Sequence, residues 1–100
     1  MMTEEDRAQY EVELRECAFS ILRDKSEIDA EESGCAPLIE EVIAIEHASV
    51  SEADDDGMVE IIEAIVKCDD GVRRRIIYTA ASDDTGNYTE DELDWVDELD

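Results

Sequence analysis

The chain has 100 residues, room for one domain with a modest core. It carries 31 Asp plus Glu against 8 Lys plus Arg, a formal charge of -23, with 43% apolar residues. That apolar content argues against a disordered tail, and that charge opposes direct binding to DNA or RNA phosphates. A single acidic domain over 1–100 is expected. The opening Met-Met-Thr-Glu-Glu-Asp is acidic where a secretory segment would be basic. No apolar run reaches the ~18–20 residues of a spanning helix. The expectation is a cytoplasmic protein with no membrane partner. Cys17, Cys35 and Cys68 form no Cys-x-x-Cys, so they read as reduced thiols used as small apolar fillers.

Residues 4–24 predict a helix. Thr3 is a good N-cap, with Asp6 in capping-box position. Tyr10, Leu14, Cys17, Ala18 and Ile21 make one apolar stripe. Residues 25–37 carry Ser, Gly and Pro37 and read as a connection.

The middle, 38–82, has turn-like clusters at Asp54-Asp55-Asp56-Gly57 and Asp69-Asp70-Gly71. Three strands, 41–51, 58–68 and 72–81, fit between them. A helical period in 58–68 competes, with Met58, Ile61, Ile62 and Ile65 on one side. The arginines decide for strands: a helix starting at Asp70 would put Arg73, Arg74 and Arg75 at the positive end of its dipole. In the meander, Glu46, Glu63, Lys67, Arg73 and Arg75 share a face, and Ile43, Ile45, Ile62, Ala64, Val66, Val72, Ile76 and Tyr78 share the other. Thr89 with Glu92 makes a second capping box, Tyr88 can staple to Leu93, and Leu93, Val96 and Leu99 give an apolar edge. A short C-terminal helix over 89–99 is therefore expected. The fold expected is α+β: N-terminal helix, three-stranded antiparallel meander, C-terminal helix. The alternative is an all-α bundle of four or five helices.

Chemistry-bearing motifs are sparse. Glu52, Asp54, Asp56, Gly57 and Glu63 occupy slots of a calcium loop. The flanks lack the apolar positions of a helix-loop-helix, and no second loop pairs with it. The expected reading is an acidic turn without metal. His47, the single histidine, completes no zinc spacing. No phosphate loop, nucleophile elbow or dinucleotide fingerprint occurs. Solvated carboxylates in runs do not push two pKa values apart as an acid–base pair requires. The chain is read as a binding protein and not an enzyme, with no cofactor.

The acids themselves are the strongest signal. Residues 83–100 hold nine acids and no base. On the expected last helix, Glu90, Asp94 and Asp97 form one row, with Asp91, Asp94 and Glu98 beside it. Asp54, Asp55, Asp56, Asp83 and Asp84 add acidic turns, and Trp95 within the tract is a candidate anchor. Rows of carboxylates on a rigid element approximate a phosphate track. In size, acidity and these tracts the chain resembles the small phage-encoded inhibitors that imitate DNA, of the anti-CRISPR and anti-restriction type. The resemblance implies a basic nucleic-acid-binding protein, a nuclease or a CRISPR or restriction complex, as partner. It also implies the host cytoplasm as the place of action. Two alternatives use the same composition: an immunity- or antitoxin-type inhibitor of a basic toxin, and a halophile-adapted small binding domain. Both monomer and homodimer fit.

Overall fold

The computed structural model describes residues 3–34, 37–52, 57–85 and 87–99. Its elements are α1 (Glu4–Ser33), β1 (Ile39–Glu52), β2 (Met58–Cys68), β3 (Arg73–Ser82) and β4 (Tyr88–Glu98). The strands form one antiparallel meander, ordered β1-β2-β3-β4, with α1 on one face.

Thr3 caps α1 through a capping box: its hydroxyl accepts from the Asp6 N–H at 3.1 Å, and its own N–H donates to the Asp6 carboxylate at 3.5 Å. The helix outruns the expected 4–24 and stops at Gly34, whose φ of 76° only glycine adopts cheaply. Two i,i+4 ion pairs, Arg23–Glu27 at 3.3 Å and Lys25–Asp29 at 3.2 Å, support the added turns. The buried stripe is Leu14, Ala18, Leu22 and Ser26, a strict four-residue step. Tyr10 and Cys17, expected on that stripe, are exposed. Ser26 is wholly buried yet satisfied, donating to the Arg23 carbonyl at 2.8 Å and accepting from the Ile39 N–H at 3.2 Å.

The core lies between that stripe and alternate residues of the sheet: Ile62, Ala64 and Val66 on β2, Ile76, Tyr78 and Ala80 on β3, and Leu93 on β4. β1 contributes Ile39, Ala48 and Val50, with Val42 and Ile45 partly buried. Its register shifts between Ile39 and Glu41, Val42 and Ala44, and Ile45 and His47. Each shift inserts an extra residue. Inward positions therefore recur every third residue, at Ile39, Val42, Ile45 and Ala48. Ile43, expected among the inward residues, is 45% exposed.

The fold differs from the expected one in its last element. The sheet has four strands, and 89–99 is not a helix: Tyr88–Glu98 pairs antiparallel with β3. The all-α alternative is overturned by the same pairing, since among the described residues one helix accompanies a four-stranded sheet. The supposed capping residue Thr89 instead donates its hydroxyl to the Ala81 carbonyl at 3.3 Å. Tyr88, the supposed staple, sends its hydroxyl to the Glu60 carboxylate at 3.3 Å. The physical reason is the β3 edge. Without β4 it would leave a row of unpaired backbone donors and acceptors on a strand with an apolar face, and β4 closes it. No helix among the described residues is long and apolar enough to cross a membrane.

Candidate functional site

The charges separate along the strands. Every cation of the sheet falls within 67–75, at Lys67, Arg73, Arg74 and Arg75, around the β2–β3 turn. Two of them, Arg74 and Arg75, are bridged. Asp70 accepts from Arg74 at 3.0 and 2.8 Å, and Glu98 lies 3.5 Å from the same guanidinium. Arg75 meets Glu46 at 2.8 Å and Asp97 at 3.4 Å. The Arg74 hydrogen bonds, helped by the Val72 N–H, hold the Asp70 carboxyl down at about 2. On the helix side, Lys25 reaches Asp91 at 3.4 Å.

On the face away from α1, toward the β3–β4 turn, no such compensation exists among the described residues. Glu90 stands beside Ala81, Glu92 beside Thr79 and Asp94 beside Ile77. All three are exposed, with no ion pair among the described residues. Alternation puts them on the face away from α1. Successive members are about 6.8 Å apart along an extended strand, so the row runs about 14 Å. β4 is an outer strand, so this row borders solvent.

The residues singled out from sequence therefore divide. Glu90 and Asp94 share the uncompensated row. Asp91, Asp97 and Glu98 are drawn into ion pairs with Lys25, Arg75 and Arg74. Asp83 organises the β3–β4 turn: one carboxylate oxygen accepts from the Thr85 N–H at 3.0 Å, its hydroxyl at 2.6 Å and the Asn87 N–H at 3.0 Å. Asp84 is exposed in the same turn. Trp95 is half-buried against the core on the helix side, beside Leu93, Asp29 and Glu32, so it does not share the face of the row. Asp54, Asp55 and Asp56 lie outside the described residues. The helical rows 90/94/97 and 91/94/98 do not exist, because 90–98 is extended.

Sequence reasoning missed Glu92. A helical reading turns it away from Glu90 and Asp94, whereas a strand puts it between them. The signal was the alternation Leu93-Asp94-Trp95 after Glu90-Asp91-Glu92.

For the calcium slots, Glu52 pairs with Met58 and lies on the helix side, whereas Glu63 pairs with His47 and Ile77 on the opposite side. These two carboxylates cannot converge on one ion. No group of three metal-ligating side chains occurs among the described residues.

Glu60 is different in kind. It is half-buried on β2, and loss of solvent raises its carboxyl above the ordinary range, against the opposing Tyr88 hydrogen bond. It stands apart from the exposed row, on the helix side of the sheet.

What the geometry defines is an acidic α+β domain with Arg74 and Arg75 paired at one end of its sheet and carboxylates on an outer strand toward the other. Comparison with protein-family models, with characterised proteins and with solved structures finds no match.

Proposed function

We propose that this protein is an inhibitor that occupies the nucleic-acid-binding surface of a cationic partner, with its carboxylates standing where phosphates would. One observation carries this reading: Glu90, Glu92 and Asp94 line an outer strand with no ion pair among the described residues, while Arg74 and Arg75 are bridged at the far end of the sheet. Duplex DNA advances one charge per ~3.4 Å on each strand, so a carboxylate every ~6.8 Å keeps pace with alternate phosphates over about four base pairs. A β-strand holds such a row more rigidly than a loop, which reduces the ordering cost of binding. A net charge of -23 speeds encounter with a basic groove, and salt weakens it. On this reading the partner is a nuclease or a CRISPR or restriction complex, and the protein works in the cytoplasm.

The test is an affinity column of the protein, loaded with a cytosolic extract at low salt and eluted with duplex polynucleotide. Release of nucleic-acid-binding proteins by polynucleotide is the expected result. A column that retains proteins indifferent to polynucleotide contradicts it.

A further inference from the structure

Antiparallel sheets that rest one face on a core usually turn polar residues outward on the other. Here the two central strands turn apolar residues outward as well, around Glu63 and Thr79. Opposite α1, β2 presents Val59, Ile61 and Ile65, and β3 presents Ile77 and Ala81, each half-buried, with no element among the described residues packed on them. The register sets Val59 beside Ala81, Ile61 beside Thr79 and Glu63 beside Ile77. Apolar groups left uncovered on a sheet face favour contact with another surface, and Glu63 among them adds a carboxylate to that face.

The patch has definite dimensions and a definite polarity. Two neighbouring strands make it about 10 Å wide, and Val59 to Ile65 makes it about 20 Å long. At the turn end, the Arg75–Glu46 ion pair joins β3 to β1 across β2 and closes the stripe over Ile65. One flank is the acidic row Glu90, Glu92 and Asp94; the other carries Ser49, Ser51 and His47, with Glu46 paired to Arg75. A helix is about 10 Å across and rises 1.5 Å per residue, so about 14 residues fill the stripe. A second copy of this chain would bring another -23 to the same face, which disfavours it as occupant.

We infer that this face receives an amphipathic basic helix of the partner, its apolar side on Ile61 and Ile77 and its Lys or Arg residues against Glu90, Glu92 and Asp94. The bound state is a three-layer stack, with α1 on one face of the sheet and the partner's helix on the other. The inference rests on the partner being cationic, as in the proposed function, but does not require that it bind nucleic acid.

The test uses two synthetic helical peptides of about 14 residues and equal positive charge, one Leu/Lys-patterned and amphipathic, the other with Gln in place of Leu. Each is titrated into the full chain at low salt by calorimetry, with amide chemical shifts recorded on the unmodified protein. The amphipathic peptide is expected to bind at least about tenfold tighter, with shifts centred on Ile61, Ile77 and β4. The double variant Ile61→Ser, Ile77→Ser, checked for folding by its thermal transition, is expected to erase the difference. Equal affinity of the two peptides, or shifts centred on α1 and β1, overturns the inference. Failure of polynucleotide elution with the peptide preference intact removes the nucleic-acid reading and leaves this one standing. An equal response to both peptides with successful elution does the reverse.

Discussion

Asp70 is gripped at both carboxylate oxygens, by the Arg74 guanidinium and by the Val72 N–H. Its carboxyl therefore sits at about 2 in the folded chain against 3.8 ordinarily. A lowered carboxyl contributes stability that is present above the unfolded value and is lost as pH falls through the folded one. Asp70→Asn is expected to lower the thermal midpoint at neutral pH, and the gap from the wild type should close between pH 3.8 and about 2. Glu60 carries the opposite sign. Burial raises its carboxyl above 4.5, so its charged form weakens the fold at neutral pH, and the penalty fades as pH falls through the raised value. Glu60→Gln is expected to raise the midpoint at pH 7 and to abolish its share of the gain on mild acidification. A thermal series across pH on both variants checks the two signs together. The two cysteines among the described residues also differ: Cys17 is exposed, while Cys68 is buried and loss of solvent pushes its thiol up. Thiol labelling of the native chain should modify Cys17 and spare Cys68.

At the scale of elements, legibility followed the regularity of the side-chain period. β2 and β3 alternate without a break, and the capping box at Thr3 marks where α1 begins. β1 hides its alternation, because its register shifts put Ile39, Val42, Ile45 and Ala48 three apart, the step of a helix face. β4 misleads more strongly. Thr89-x-x-Glu92 matches a capping box, and Leu93, Val96 and Leu99 match a helical edge, yet the register shift beside Arg75 and Ile76 leaves Val96 outward and Trp95 inward. Local pattern lost to the unpaired edge of β3, which a single-segment reading does not contain. The acidic tract was legible as composition, but its division into bridged and unbridged members was not, because Lys25, Arg74 and Arg75 reach it through tertiary contacts. The strand makes a direct prediction. Trp95→Ala should cost about 2–4 kcal/mol in denaturant unfolding, while Val96→Ala, at an outward position, should cost under about 0.5 kcal/mol. A helix over 89–99 would reverse that order.

For the whole molecule, a charge of -23 sets self-repulsion against a small core. Bridging at one end of the sheet and solvation of the outer strand let the chain hold that charge. The protein is expected to be folded in dilute buffer, with a midpoint that rises with salt and levels off near about 0.15–0.2 M, where screening reaches ~8 Å. A fold that forms only in molar salt would instead mark adaptation to brine. Partner binding should run the other way and weaken over the same salt range. The most direct measurement compares two affinity columns, one carrying the native chain and one carrying Glu90→Gln, Glu92→Gln, Asp94→Asn, both verified as folded. Phosphate mimicry by this row requires that the native column hold cationic proteins that duplex polynucleotide displaces, and that the neutralised column lose them. Equal retention by both columns would contradict it.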